Sequence, residues 1–284
     1  MTIPYEKYHG AGNEFIIIDA NEFVPDRSEL ARQVCDRTDG VGADGVLFLA
    51  LEDQYSPPRV IMTLVQPDGS NAAMCGNGAR CAAHWAGKRA GADTVMIDTQ
   101  AGTYRADIDD SNVTIEMGVP SMAPVQVPVA GDEPMVDQRV GEFEVTAVNT
   151  GVPHAVIFVD DVAAVDVERV APEIRHADVF PEGANVTFAS PDEYGGFDQR
   201  TFERGVEGET QACGTGAVAI AVAAHYHGQL DSDGPVEIHP PGGDLEITLD
   251  ETGATTLHGP VEWEYDGQLG SAPAPRRLDA RREA

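Results

Sequence analysis

Lysine is nearly absent from this chain. Its 284 residues include 18 basic residues, of which only Lys7 and Lys88 are lysines, against 48 acidic ones, and the net charge is −30. So acidic a surface repels phosphate backbones, which disfavours nucleic acid as a partner. In molar salt the Debye length falls to about 3 Å, so the mutual repulsion of these carboxylates is screened. We therefore predict a halophilic protein.

Two further absences concern membranes and export. No apolar run approaches the roughly 18–20 residues of a membrane-spanning helix, so we expect no membrane association. Residues 1–7 lack the basic-then-apolar layout of a signal peptide, which favours a cytoplasmic protein. Four cysteines do not make a disulfide framework in a chain of this length, and we expect them to be reduced.

Apolar runs and turn residues divide the chain into two halves of alternating strands and helices. The proline-punctuated stretch 118–134 marks a boundary, and the Pro-, Ala- and Arg-rich tail 271–284 is predicted to be disordered. Helices are predicted over about 28–37, 76–88 and 214–227. Strands are predicted near 15–18, 46–49, 60–65, 94–98, 102–107, 112–117, 143–149, 155–159, 184–189, 199–203, 235–239, 244–249 and 255–263.

An internal repeat relates the two halves. Cys75-Gly76-Asn77-Gly78-Ala79 returns as Cys213-Gly214-Thr215-Gly216-Ala217, 138 residues later, and both copies lead into an Ala-rich helix. Upstream, residues 10–19 match residues 151–160 at an offset of 141. Two elements that repeat in the same order at nearly the same offset predict two similar domains. Copies of a duplicated fold commonly face each other, which would bring the two cysteines to one cleft.

Each repeated cysteine directly precedes a helix. Free backbone N–H groups at a helix N-terminus stabilise a thiolate and lower its pKa. The glycines leave room for a ligand, so the same N–H groups can hold a carboxylate or a developing oxyanion. Two such thiols facing each other suggest an acid and a base on opposite sides of one carbon, an arrangement that inverts a stereocentre.

Other interpretations of these residues are weaker but remain open. Cys75 and Cys81 are six residues apart, unlike the close pairs of zinc sites, whereas a redox dithiol would also need two converging cysteines. We expect Cys35 and Cys81 to lie in the core. The glycine pattern at 40–45 precedes a strand, not a helix, which disfavours a nucleotide site.

Charged and polar residues near the repeats are further candidates. His9 and His154 lie beside the repeated glycine elements, where they could tune a thiol pKa. Arg204, next to Glu203, could clamp a substrate carboxylate.

From His9 to about Asp266 the chain resembles the diaminopimelate epimerase family. The resemblance rests on several specific motifs: His9-Gly10-Ala11-Gly12-Asn13-Glu14-Phe15, Gly40-Val41-Gly42-Ala43-Asp44-Gly45, Asp68-Gly69-Ser70 leading to Met74-Cys75-Gly76-Asn77-Gly78-Ala79-Arg80-Cys81, Asn149-Thr150-Gly151-Val152-Pro153-His154, Phe180-Pro181-Glu182-Gly183-Ala184-Asn185, and Phe202-Glu203-Arg204-Gly205 through Glu209-Thr210-Gln211-Ala212-Cys213-Gly214-Thr215-Gly216.

The resemblance implies an α+β fold of two similar domains, each a mixed sheet wrapped around a central helix and related by a pseudo-two-fold axis. The domains would span 1–119 and 120–259, with a final strand near 260–268 returning to the first. It also implies a homodimer and an enzyme that needs neither metal nor pyridoxal cofactor. The expected reaction interconverts LL- and meso-2,6-diaminopimelate in lysine biosynthesis.

The resemblance also assigns site residues. Cys75 and Cys213 would be the catalytic acid–base pair, and His154 with Glu203 would tune their pKa values. The expected substrate-binding residues are Asn13, Gln66, Gly76, Asn77, Asn185, Glu203, Arg204, Gly214 and Thr215.

The chain departs from the family where the far end of the substrate binds. Many members have Asn at the position of Gln66 and at that of Val152. The alternative substrate is therefore another amino acid, such as a proline or hydroxyproline derivative, and the alternative class is a non-catalytic ligand-binding or redox dithiol protein. Retention of Arg204 and Asn185 favours the longer, doubly zwitterionic substrate.

Overall fold

The computed structural model describes residues 2–230 and 234–270. Four α-helices lie in these ranges: α1 (Arg27–Val34), α2 (Gly76–Ala90), α3 (Val167–Arg175) and α4 (Gly214–Tyr226). The strands are β1 (Ile3–Gly10), β2 (Asn13–Asp19), β3 (Gly45–Glu52), β4 (Arg59–Val65), β5 (Asn71–Ala72), β6 (Thr94–Thr99), β7 (Gly102–Asp109), β8 (Asn112–Gly118), β9 (Gln138–Val140), β10 (Phe143–Asn149), β11 (Pro153–Phe158), β12 (Asn185–Pro191), β13 (Phe197–Glu203), β14 (Gly208–Thr210), β15 (Val236–His239), β16 (Leu245–Leu249), β17 (Thr255–Pro260) and β18 (Glu262–Leu269).

Both halves pair their strands in the same order. In the first half β1–β2 is antiparallel, β2–β3 parallel, β3–β4 antiparallel, β4–β6 parallel, and β6–β7–β8 antiparallel. The second half repeats this sequence of pairings with β10, β11, β12, β13, β15, β16 and β17. Antiparallel pairing of β8 with β17 joins the halves into one continuous sheet. The predicted fold class, two similar α+β units, is confirmed.

The two Ala-rich helices α2 and α4 are the centres of these units. Cys75 is the N-cap of α2, and Gly91 ends it in the left-handed conformation, with φ of 64°. Most residues of α4 from Gly214 to Ala224 are buried, and such an all-apolar helix has to lie inside the protein. Side chains from both helices share one apolar core, while smaller cores lie beneath α1 and α3.

Several boundaries differ from the sequence expectation. Helix α1 begins at Arg27 instead of Ser28, because the carboxylate of Asp26 accepts the N–H of Glu29 and caps the helix there. The strand predicted over 255–263 is two strands separated at Val261. Helix α3 and strand β1 were not predicted.

The final strand, β18, pairs antiparallel with β1. The domain limits 1–119 and 120–259 stay predictions, and the tail 271–284 lies outside the described residues. Both Cys35 and Cys81 are buried in apolar cores.

Candidate active site

The N-termini of α2 and α4 abut in the middle of the molecule. A methyl group on Gly76 would lie 3.4 Å from the carbonyl carbon of Gly214 and from the amide nitrogen of Thr215. A methyl on Gly214 would lie 2.7 Å from Oδ1 of Asn77. A methyl on Gly76 would also lie 2.6 Å from Cδ2 of Leu257, and one on Gly214 would lie 2.8 Å from it, so only glycine fits at these two positions. The repeat thus places two helix N-termini side by side.

Cys75 lies at this junction and is partly buried. Its Sγ accepts the backbone N–H of Gly78 at 3.4 Å and lies 3.9 Å from Oδ1 of Asn13. Burial and the nearby Glu203 carboxylate raise the pKa of the Cys75 thiol to about 12, although backbone N–H groups and Arg80 act in the opposite direction. The hydrogen bonds at the helix terminus therefore do not outweigh the effect of burial on the Cys75 thiol.

Cys213 is the deeper of the two, with 4% of its surface exposed. Its Sγ lies 3.5 Å from the hydroxyl of Thr215. Burial raises the pKa of the Cys213 thiol well above its usual value, and Glu203 and Cys75 add to this effect. Both pKa shifts favour the neutral thiols, and a positive charge close to the sulfurs would favour a thiolate.

Glu203 is the carboxylate that both thiols sense. Its Oε1 accepts a hydrogen bond from the Thr210 hydroxyl at 2.6 Å. Burial raises the pKa of the Glu203 carboxyl to about 7, with a further contribution from Asp44. Glu203 can therefore change its charge near neutral pH.

A buried polar chain supports Cys213 from below. Nε2 of His154 lies 3.0 Å from the Thr215 hydroxyl, and its Nδ1 lies 3.1 Å from the Thr187 hydroxyl. The Thr201 hydroxyl donates to Thr187 at 3.3 Å, and Nε2 of Gln199 donates to Thr201 and to the Cys213 carbonyl, both at 3.0 Å. Burial lowers the pKa of His154 to about 3, so the imidazole is neutral and acts as a hydrogen-bonding spacer.

The first half has apolar side chains in the matching places. From the strand registers, Phe15 corresponds to His154, Leu47 to Thr187, Leu64 to Thr201 and Met62 to Gln199. A methyl on Gly78 would contact Leu47, whereas one on the equivalent Gly216 would contact Thr187 and Gln199. The two thiols therefore rest on chemically different supports, which is how a near-symmetric pair acquires distinct protonation behaviour.

A cleft of about 310 Å³ opens in front of Cys75. Among the residues predicted to bind substrate, Asn13, Gln66, Asn185, Glu203, Arg204 and Thr215 line this cleft. Asn77, Gly76, Gly214 and Cys213 lie behind it at the helix junction, and His154 lies below Thr215. His9 lies apart, beside Glu262 and outside the cleft, contrary to the sequence expectation.

Two side-chain contacts, one in the cleft and one behind it, tie the halves together. The Gln66 amide donates to the Arg204 carbonyl at 2.6 Å, and a methyl on Gly205 would collide with the Gln66 side chain. The Asn77 amide donates to the Ala212 carbonyl at 2.9 Å. Gln66 thus bridges the two halves at the same place where it lines the cleft.

The sequence interpretation did not assign four charged residues of the cleft to the site. Asp44, Asp68, Arg175 and Glu207 all line it. Arg175 donates to Glu207 at 2.8 Å, and its charge lowers the pKa of Arg204, after the larger effect of burial. Asp44 accepts from the Asn13 amide at 2.8 Å and so orients it.

The described residues offer neither a metal-binding cluster nor a membrane-spanning helix. No group of three or more His, Cys, Asp or Glu side chains is arranged to hold a metal ion within residues 2–230 and 234–270. Over the same residues, none of the helices is long and apolar enough to span a bilayer.

Comparison with solved structures supports the two-domain description. A probable proline racemase from Agrobacterium radiobacter K84 matches with a TM-score of 0.70 and 18% identity, covering 96% of this chain and 94% of that one. A hydroxyproline epimerase from Agrobacterium vitis matches with a TM-score of 0.67 and 18% identity, covering 94% and 91%. Both solved structures share the fold of this chain, in which two cysteines cap abutting helices.

Comparison of the amino-acid sequence with known proteins identifies the family. The family model for diaminopimelate epimerase matches residues 5–123 and 146–264. A protein of Methanocella arvoryzae named diaminopimelate epimerase is 43% identical over 279 residues, covering 94% of this chain and 96% of that protein. One of the same name from Methanothrix thermoacetophila is 43% identical over 257 residues, covering 87% and 89%. The chain belongs to the diaminopimelate epimerase family.

Proposed function

We propose that this protein is a two-cysteine epimerase that interconverts LL- and meso-2,6-diaminopimelate for lysine biosynthesis. The observation that carries the proposal is the junction of α2 and α4. There, two cysteines cap adjacent helix N-termini, with Cys75 and Thr215 lining the cleft, in a chain of the diaminopimelate epimerase family. Family membership supplies the substrate, and the junction supplies the chemistry.

The junction holds the reacting carbon by its carboxylate. The N–H groups of Gly76, Asn77, Gly214 and Thr215 would donate hydrogen bonds to the α-carboxylate, because N–H groups at helix N-termini favour an anion. Asn13, Asn185 and Glu203 would receive the α-ammonium group, whose positive charge offsets Glu203 and lowers the pKa of both thiols.

Proton transfer then needs only the two sulfurs. One thiol loses its proton to solvent as the substrate binds, and the resulting thiolate takes the Cα proton. The electron pair left on the carbon spreads into the carboxylate, where the helix N–H groups stabilise it. The opposite thiol gives its proton to the other face of the carbon and becomes the thiolate. The configuration at Cα is inverted, and the two cysteines have exchanged protonation states: the former thiolate is now the thiol, and the former thiol is the thiolate.

Charges of both signs around the rest of the cleft suit a substrate that is zwitterionic at each end. Arg175 and Arg204 can take the distal carboxylate, and Asp68 and Glu207 can take the distal ammonium group. A proline derivative has no second pair of carboxylate and ammonium groups to meet these charges. This favours the diamino diacid over the alternative substrate.

The test follows solvent deuterium into the substrate. Wild-type protein and the Cys75→Ser and Cys213→Ser variants are incubated in deuterated water containing 3 M KCl with LL-diaminopimelate, and Cα deuterium is measured by NMR and mass spectrometry. We expect deuterium in the meso product of the wild type and none with either variant. L-proline and trans-4-hydroxy-L-proline serve as control substrates.

Two outcomes would replace the proposal. Exchange with a proline compound but not with diaminopimelate would select the alternative racemase. No exchange with any amino acid would favour a binding or redox dithiol protein.

We also propose that the protein works in the cytoplasm and is halophilic. All four cysteines are free thiols, and a catalytic thiol pair persists only where disulfides stay reduced. A net charge of −30 is tolerated best where salt screens it. Melting temperatures at 0.1 M and 3 M KCl test the second point, and equal values would contradict it.

A homodimer completes the proposal and rests on the family resemblance. Sedimentation or light scattering in 3 M KCl should give twice the 30.2 kDa chain mass. A monomer mass at micromolar concentration would contradict it.

A further inference from the structure

Arg80 is a buried cation at the centre of the molecule, and none of the described residues is its counter-ion. It lies on α2, just over one turn after Cys75, and none of its surface is exposed. None of its three side-chain nitrogens has a hydrogen-bond partner among the described residues. Burial lowers the pKa of Arg80 to about 10, so it still carries its charge at physiological pH.

Glycines make the space for this guanidinium. Methyl groups on Gly10, Gly259 and Gly214 would each lie within 3.4 Å of an Arg80 side-chain atom. These glycines belong to β1, β17 and α4, so each neighbouring element leaves out a side chain at its contact with Arg80. The corresponding residue of α4, Val218, is fully buried and apolar. The site is therefore built for the charge in one half only.

The Arg80 guanidinium lies close to the helix junction where the reaction is proposed to take place. Nη1 would lie 3.3 Å from a methyl on Gly214, directly behind the paired helix N-termini. The titratable groups that act on Arg80 are the Cys75 and Cys81 thiols, and its charge in turn favours their thiolates. Of these two, only Cys75 lines the cleft.

We propose that Arg80 is the buried counter-charge for the anions that form at the helix junction: the Cys75 thiolate and the substrate carboxylate as it gains charge. An unpaired buried cation destabilises the fold. It repays this only when an anion appears nearby, in a medium where charges interact strongly. Because it acts through the helix termini and the thiol without touching substrate, Arg80 is a positioning residue. The proposal deepens the proposed epimerase function and rests on it for the carboxylate.

The test removes the charge and keeps the volume. Arg80→Met is compared with Arg80→Lys, which retains the charge, and with Arg200→Met. Arg200 is a matched control because its guanidinium is paired with Glu209 at 2.6 Å and 2.7 Å and bonds the carbonyls of Val162 and Val165. Alkylation of each cysteine by iodoacetamide is followed by mass spectrometry from pH 6 to 10, together with the melting temperature and kcat/KM.

We expect Arg80→Met to slow alkylation of Cys75 at pH 8 about tenfold, as a rise of roughly one in the thiol pKa requires. Cys213 should change much less. Arg80→Lys should restore the Cys75 rate. The melting temperature of Arg80→Met should rise by about 3 °C or more, while that of Arg200→Met falls and its thiol rates stay unchanged. The kcat/KM of Arg80→Met should fall roughly 10- to 100-fold.

An unchanged Cys75 alkylation profile in Arg80→Met would overturn the proposal. So would a loss of stability like that of Arg200→Met, or failure of both Arg80→Met and Arg80→Gln to fold, since each would make Arg80 an ordinary structural residue. The alkylation and melting measurements need no substrate. They therefore test Arg80 even if diaminopimelate proves not to be turned over.

Discussion

Replacing Glu203 by glutamine should make the protein more stable at alkaline pH. Burial raises the pKa of this carboxyl from its ordinary value of 4.5 to about 7. Between these pH values the folded protein binds more protons than the unfolded chain. Stability is therefore full below pH 4.5 and is lost as the pH rises through 7.

The size of the effect follows from the same pKa. From pH 5.5 to 8.5 the wild type should lose about 2 kcal/mol relative to Glu203→Gln, which is about 4–8 °C in melting temperature. The glutamine keeps an acceptor for Thr210, so this hydrogen bond survives. The variant should also alkylate faster at both Cys75 and Cys213, because the carboxylate that raises both thiol pKa values is gone.

The measurement is urea unfolding at pH 5.5, 7.0 and 8.5 in 3 M KCl, where surface charges are screened and a buried one is not. Glu142→Gln is the control, because Glu142 is an exposed carboxylate in the turn between β9 and β10. Its stability should follow the wild type at each pH. If wild type and Glu203→Gln depend on pH alike, the carboxyl is not the buried, proton-binding group described above.

Three further changes address the junction and the cleft. Gly214→Ala should lower kcat/KM more than about 100-fold and also lower the melting temperature, since its methyl would lie 2.7 Å from Oδ1 of Asn77 and force the helices apart; wild-type kinetics would contradict the tight junction. Arg175→Met should raise KM for diaminopimelate about tenfold and change kcat less, because it removes a distal contact in both ground and transition states; an unchanged KM would exclude Arg175 from substrate binding. Mild oxidation should inactivate the enzyme by closing a disulfide between Cys75 and Cys213, and dithiothreitol should restore activity by reducing this disulfide. Full activity after treatment with the oxidant would mean that the two sulfurs do not come into contact.

Local patterns were sufficient to predict the centre of the molecule. Each cysteine is followed by small residues and an Ala-rich run, which favours a helix that begins directly after the cysteine. The offset of 138 between Cys75 and Cys213 then predicted two similar units. These features are encoded within a dozen residues each, so they could be read without knowing the strand pairings.

Register could not be read in the same way. Matching residues 10–19 with 151–160 aligns His154 with Asn13, whereas the strand ladders align His154 with Phe15. The loops of the β1–β2 and β10–β11 hairpins differ in length, and only the ladder hydrogen bonds settle which residues correspond. The contrast between the polar support of Cys213 and the apolar support of Cys75 was therefore invisible in the sequence.

Helix α3 was missed although a signal existed. Val167, Val170, Ala171 and Ile174 are buried and have helical spacing, but Pro172 interrupts the run and disfavours a helix. Arg175 is the last residue of this helix and lines the cleft, but no sequence motif predicted a cation there. The unpaired state of Arg80 likewise depends on contacts from three distant elements.

The isotope content of substrate and product early in the reaction tests the central claim most directly. The reaction is run in deuterated water with 3 M KCl and is stopped when less than about a tenth of the LL-diaminopimelate has been converted. Both isomers are then analysed for Cα deuterium. Two thiols on opposite faces predict deuterium in the meso product and none in the recovered substrate. The reason is that the donor thiol carries deuterium from the solvent, whereas the base carries the hydrogen abstracted from the substrate. Retention of the original hydrogen in the product, or equal labelling of both isomers, would contradict the account.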